Sequence, residues 1–284
     1  MRALITGAGG QLGTDLGSLL GDDVRSLSHA ELDIADSEAV ARVFEETRPD
    51  VVFNCAAFHN VDECERSPDP AWAVNVRAVR DLATRGAKLV HLSTNYVFDG
   101  RSPEPYAEED LPAPRSVYAL TKLAGEHAAL AYGRDALVAR TAGLYGMAGS
   151  ASKGGNFVQR MIGRARETGS LKMVADQRLQ PTYTRDLAEA LVDAVEREAA
   201  GVVHLTAAGA CSWFEFTAAI METAGIDVPI EPVETTVGPG GVDRPLNGVL
   251  ARPRADSLGL PELRPWREAL EDYMQTAGLT AAAA

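Results

Sequence analysis

Three glycines spaced three apart, Gly7, Gly10 and Gly13, stand between the apolar run "RALIT" and the amphipathic "QLGTDLGSLL". Nothing else in the chain narrows its fold as much. A strand that turns at once into a helix needs one glycine for the tight turn. A second lets backbone approach a pyrophosphate, and a third lets helix and strand pack closely. The helix N-terminus then offers N–H groups and a positive dipole end to the anion. Such a spacing also fits a merely structural turn, but its place between a first strand and a first helix points to dinucleotide binding.

The rest of the first half alternates in the same way. "DVVFNCAA", "KLVHLST" and "ALVARTA" are continuous apolar runs, and "AWAVNVRAVRDLATR" and "SVYALTKLAGE" have helical spacing between them. Apolar strands alternating with helices predict right-handed crossovers and a parallel sheet covered on both faces. In the second half "NFVQRMIGRARE" and "RDLAEALVDAVERE" read as helices and "GVVHLTA" as a strand. Ser212 and Glu215 have capping-box spacing at the start of another helix, and "PWREALEDYMQTAG" is a closing helix with proline near its first turn. The Pro- and Gly-rich "VETTVGPGGVDRPLNG" is expected as a loop near a binding cleft, and the final "LTAAAA" as a frayed end.

Composition limits the partners. The 284 residues carry a net charge of −13, with a sequence pI near 4.9. An acidic surface argues against non-specific nucleic-acid binding and against docking on anionic membranes. Cys55, Cys64 and Cys211 form no metal-spaced pair and suit no closed disulfide framework. With no signal-peptide pattern and no apolar run of spanning length, the chain is expected in the cytoplasm.

Two stretches carry chemistry. Tyr118 and Lys122 share one helix face at i and i+4. Hydride transfer to a carbonyl leaves an oxygen that must gain a proton, and a tyrosine whose pKa falls toward neutrality under a lysine's field can supply it. "HLSTNYVF" places the hydroxyls of Ser93 and Thr94 at a strand end, where one could bond the carbonyl oxygen. The end of the second strand, "VRSLSHAELD", offers Ser28 and His29 with Arg25 nearby, where a carboxylate commonly binds a ribose 2′-hydroxyl. Without that carboxylate a 2′-phosphate is tolerated, so NADPH is favoured and NADH is the second candidate.

Together with "LDI", "NCAAFHNVDECE", "GGNFV", "DQRLQPTYTRDLA" and "RPLNG", these stretches resemble the dTDP-4-dehydrorhamnose reductase family of extended short-chain dehydrogenase/reductases. The resemblance runs from residue 4 to about 250. It implies an α/β fold: a Rossmann-type, doubly wound parallel sheet with a smaller C-terminal substrate-binding lobe. Residues 1–150 would be mainly the dinucleotide-binding domain and 151–284 mainly the lobe, with some segments returning to the sheet. Thr94, Tyr118 and Lys122 would be the catalytic set. Gly7, Gly10, Gln11, Leu12 and Gly13 would lie along the pyrophosphate, with Ser28, Asp33 and Ile34 on the adenosine side. Ala56, Ala57 and Phe58, after the fourth strand, and Asn75 would complete the cofactor site. Thr94, Asn95, Tyr96, Tyr118, Asn156 and Arg244 would face a nucleotide-sugar substrate, a 4-keto-6-deoxyhexose reduced at C4. The resemblance implies action on dTDP-4-dehydro-L-rhamnose or a related deoxysugar, with a homodimer as the candidate assembly.

Two positions depart from the family pattern at the substrate side. Asn95 stands where aspartate is usual, and Gly143 where many relatives carry tryptophan, leaving more room or a different anchor. A non-catalytic NADP-binding regulatory subunit, like the beta subunit of methionine adenosyltransferase, resembles the same family and is the rival expectation. His59, His91 and His204 read as structural, and Asp62, Glu63 and Glu65 as a solvated loop rather than a cation site. Relatives can hold a magnesium ion between subunits near the position of Asp15, but one carboxylate makes no metal site.

Overall fold

The computed structural model describes residues 1–21, 24–149, 155–237 and 241–281. Part of the glycine-rich loop (238–240) and the last residues of the frayed end (282–284) lie outside the described residues. The first eight strands in chain order are β1 (Ala3–Thr6), β2 (Val24–Leu27), β3 (Val51–Asn54), β4 (Lys88–Thr94), β5 (Leu137–Thr141), β6 (Leu171–Val174), β7 (Arg178–Leu179) and β8 (Gly201–His204). Six of them form one parallel sheet in the order β2-β1-β3-β4-β5-β8. All residues of β1, β3 and β5 are buried, as a sheet covered on both faces requires. One core lies between this sheet and the helices Gln11–Leu20 and Thr184–Glu196, and another lies on the opposite face under Ser37–Thr47 and Ala78–Ala83.

The strand order reverses direction between β1 and β3, so the crevice at their carboxyl ends is the natural ligand site. Residues 28–36 form no strand. Asp33 instead accepts from Ala35 N, and Asp36 caps the helix Ser37–Thr47. Residues 55–58 consequently follow the third strand in the chain, not the fourth. A third core joins the helices Phe157–Thr168, Trp213–Ala224 and Trp266–Thr276 through Val158, Phe216 and Tyr273. The capping box is formed: Ser212 Oγ accepts from Glu215 N, and Glu215 accepts from Ser212 N. Pro265 takes the N-cap position of the last helix.

Candidate active site

Gly7 leaves β1 at φ +71°, and a Cβ there would lie 2.6 Å from the Ala56 amide nitrogen. A Cβ on Gly13 would lie 2.5 Å from Gly7 O. Both obstacles are backbone, so no side-chain rotation relieves them. Gly10 is the N-cap of the helix Gln11–Leu20 and gives it no side-chain hydrogen bond. The first-turn amides of that helix therefore depend on a group from outside it. Gln11 Nε2 donates to Leu144 O at 3.5 Å, but its buried Oε1 has no partner among the described residues. Leu12 is 4% exposed and packs in the core, so only its backbone is offered. A cradle that a Cβ would fill, an uncapped helix terminus and an orphaned amide oxygen together fit a dinucleotide pyrophosphate.

The adenosine side differs from expectation. A carboxylate does stand at the end of β2: Glu31 Oε2 accepts from Ser28 N at 2.8 Å and from Ser28 Oγ at 2.7 Å. These bonds hold the Glu31 carboxyl below its usual pKa, and they occupy the Ser28 hydroxyl. Asp33 is exposed, whereas the Ile34 side chain packs in the core, so only its backbone is open to a ligand.

Past β3, Ala56, Ala57 and Phe58 are half-buried beside the glycine turn. Asn75 fixes them. Its Oδ1 accepts from Phe58 N at 2.9 Å, and its Nδ2 donates to Phe58 O at 3.0 Å and Thr121 Oγ1 at 3.1 Å. Both amide hydrogens of Asn75 are thus used within the fold, where they hold Phe58 against the helix that carries Thr121. It sits in a π-helical turn, Ala73–Arg77, a device common at functional sites.

The catalytic candidates converge at the end of β4. Thr94 lies beside the Tyr118 phenol, and its Oγ1 accepts from Tyr96 N at 3.2 Å and donates to Asn95 Oδ1 at 3.3 Å. Tyr118 lies on the helix Val117–Tyr132, which Ser116 caps through Ala119 N. Lys122, one turn on, donates to Leu92 O at 2.5 Å and stands 3.3 Å from His91 Nε2. Ser93 is drawn elsewhere, donating to Glu126, which pairs with Arg140 at 2.7 Å in a buried salt bridge. Of the two hydroxyls, Thr94 alone serves the tyrosine. The expected fall in the Tyr118 pKa is not found: burial pushes the phenol well above its usual value, and the Thr94 hydroxyl offsets this only in part. Burial also lowers Lys122 to about 8, against the opposing field of Glu126.

On the substrate side, the Tyr96 ring meets Tyr118 edge-on at 5.9 Å, and Arg244 hydrogen-bonds Tyr96. Arg244 also pairs with Asp62 at 3.0 Å and lines a cleft of about 790 Å³ with Arg101 and Arg178. Asn95 points its amide at Gly248 O, 3.0 Å away. Asn156 is 2% exposed and works inside the lobe, capping the helix Phe157–Thr168 and donating to Gly146 O and Tyr273 Oη. Its amide hydrogens are therefore spent within the fold. Gly143 sits at φ +58°, and a Cβ there would come 2.8 Å from Leu179 Cδ1 and 3.1 Å from Pro181 Cα. The space beside it is filled by these two residues, so no extra room results.

Asp62, Glu63 and Glu65 lie on a short helix, Val61–Arg66, and not on a loop. Glu65 accepts from Val117 N at 2.6 Å and so anchors the start of the tyrosine helix. Asp15 accepts from Thr184 Oγ1 at 2.5 Å. No metal-binding cluster occurs among the described residues. Three residues at the site escaped the sequence: His91, Glu126 and Glu31. Glu126 and Arg140 were visible as charges inside otherwise apolar runs, and Ser28 with Glu31 as a Ser-x-x-Glu spacing. His91 was read only as structural, and nothing in its apolar strand signalled that it would face Lys122.

Comparisons with known proteins identify the family. The family model described as the RmlD substrate binding domain matches residues 1–278. A "probable dTDP-4,6-dihydroxy-2-methyloxan-3-one 4-ketoreductase" of Streptomyces antibioticus is 40% identical, over 96% of this chain and 94% of its own. A dTDP-4-dehydrorhamnose reductase of Mycolicibacterium smegmatis is 39% identical, over 95% of this chain and 84% of its own. The crystal structure of a dTDP-4-dehydrorhamnose reductase from Bacillus anthracis, in complex with NADP, superposes with a TM-score of 0.91. It is 34% identical and covers 97% of this chain and 99% of its own. With a matching family model over nearly its full length and relatives near 40% identity, this chain belongs to the dTDP-4-dehydrorhamnose reductase family.

Proposed function

We propose that this protein is an NADPH-dependent sugar-nucleotide ketoreductase that reduces the C4 keto group of a nucleotide-linked 4-keto-6-deoxyhexose. The observation that carries this reading is the convergence of Thr94, Tyr118 and Lys122 at the end of β4, beside the glycine cradle after β1. The relatives named above are reductases of such sugars, and one binds NADP. Residues 1–150 serve mainly the dinucleotide and 151–284 mainly the sugar nucleotide.

Gly7, Gly10, Gln11 and Gly13 hold the pyrophosphate, Ser28 and Asp33 flank the adenosine, and Ala56 to Phe58 form the wall. When bound, NADPH supplies the hydride that C4 accepts. Tyr118, kept protonated by burial, donates its Oη proton to the C4 oxygen, completing the alcohol. Thr94 orients that oxygen. Lys122 holds positive charge near the tyrosine and stabilises the phenolate left behind. Tyr96 and Arg244 face the sugar nucleotide, Arg244 as partner to its pyrophosphate. The first candidate substrate is dTDP-4-dehydro-L-rhamnose, and a related deoxysugar is the second, because the relatives act on different sugars. Oxidation of NADPH, followed at 340 nm with dTDP-4-keto-6-deoxy-D-glucose with and without a 3,5-epimerase, separates them. Turnover that needs the epimerase marks the L-rhamnose type. Turnover without it marks a different deoxysugar, and none with either condition contradicts the reading.

A further inference from the structure

We infer that Asn95 is a positioning residue that fastens the Arg244-bearing segment across the cleft, and that it does so through Gly248. This rests on the ketoreductase reading for its meaning but not for its geometry. Asn95 is 4% exposed. Its Nδ2 donates to Gly248 O at 3.0 Å, while its Oδ1 faces the Thr94 hydroxyl at 3.3 Å. A reversed amide would set oxygen against the Gly248 carbonyl, so the two partners fix its orientation. A carboxylate at this position could not donate that bond. Gly248 is matched to it: a Cβ there would come 2.1 Å from Asn95 Nδ2 and drive the amide away.

Further hydrogen bonds join the tethered segment to other parts of the cleft lining. Gly248 N donates to Arg178 O at 2.8 Å, and Arg178 N to Leu246 O at 2.7 Å, joining it to β7. Asn247 N donates to Gly100 O at 3.0 Å, and Asn247 Nδ2 to Ser102 O at 2.9 Å and Glu104 O at 3.1 Å. Asn95 supplies the direct bond from this segment to the strand end that carries Thr94. Four residues before Gly248, Arg244 reaches Asp62 and Tyr96. The clamp therefore sets where Arg244 stands relative to Tyr118, and it acts on sugar-nucleotide binding rather than on the proton transfer itself.

The test compares Asn95→Asp and Gly248→Ala with the wild type. Both variants should raise KM for the sugar nucleotide about three- to tenfold, the worth of one hydrogen bond. Gly248→Ala should leave kcat nearly unchanged, and both variants should leave the dissociation constant of NADPH nearly unchanged. Hydrogen exchange on the protein alone should show faster exchange at Asn247 and Gly248 in both variants. A raised KM in Asn95→Asp with none in Gly248→Ala would mean that Asn95 meets the sugar directly, and would overturn the clamp. Unchanged exchange at Asn247 and Gly248 would overturn it too. Should the wild type turn over no keto sugar, the ketoreductase reading fails while the exchange measurement still decides the clamp.

Discussion

Lys122 Nζ stands 3.3 Å from Nε2 of a fully buried His91, whose Nδ1 is 3.1 Å from Asn54 Nδ2. Asn54 Oδ1 accepts from Thr6 Oγ1 at 2.7 Å, which leaves its Nδ2 to donate to the imidazole. The remaining ring proton then sits on Nε2 and faces the lysine, so it disfavours the ammonium. Burial acts in the same direction and lowers Lys122 to about 8, while holding His91 well below its usual range.

A pH profile should show this. The tyrosine proton is retained far above neutrality, so the alkaline fall in kcat/KM belongs to Lys122 and begins near pH 8. Lys122→Arg should move that fall upward, because a guanidinium stays charged.

Stability should follow with a definite sign. The folded pKa of Lys122, about 8, lies below the unfolded value of 10.5, so the unfolded chain binds more protons between them. The Lys122 contribution therefore makes stability rise with pH across that window, by roughly 3 kcal/mol at most. Urea denaturation at pH 7.5 and 10 should lose this increment in Lys122→Met.

Glu126 and Arg140 form a buried pair beneath the catalytic strand, and Arg140 Nη1 has no partner among the described residues. Glu126→Gln leaves the guanidinium charge uncompensated and should cost about 3–5 kcal/mol by urea denaturation. A loss below 1 kcal/mol would mean that the pair contributes little.

Gly7→Ala should destabilise by about 2 kcal/mol or more, since it combines a left-handed backbone with a clash against Ala56 N. NADPH binding, titrated by fluorescence, should weaken alongside the loss in thermal midpoint.

Glu31 stands at the end of β2, where a 2′-phosphate would meet its charge. Glu31→Gln should lower KM for NADPH several-fold relative to NADH, and an unchanged ratio would place the carboxylate away from the ribose.

The glycine spacing and the alternating apolar runs made the parallel sheet legible, because close backbone packing leaves few residue choices. The extra strand implied before residues 55–58 does not form: Asp33 and Asp36 bind backbone N–H groups there, and turns result. Thr94, Tyr118 and Lys122 could be read from their pattern, but their electrostatics could not. The surroundings of the Tyr118 phenol, with the Tyr96 ring edge-on at 5.9 Å and Thr94 beside it, are a tertiary property. The bonds by which Asn75 and Asn156 use their amide hydrogens on backbone and hydroxyl groups within the fold are tertiary in the same way.

The most direct measurement is reduction of a dTDP-4-keto-6-deoxyhexose by wild type and Tyr118→Phe, with NADPH binding titrated in parallel. Loss of the phenolic proton should lower kcat by about 10²–10⁴-fold, the usual worth of a positioned acid, with NADPH bound equally well. Turnover in Tyr118→Phe within a few-fold of wild type would contradict the account at its centre.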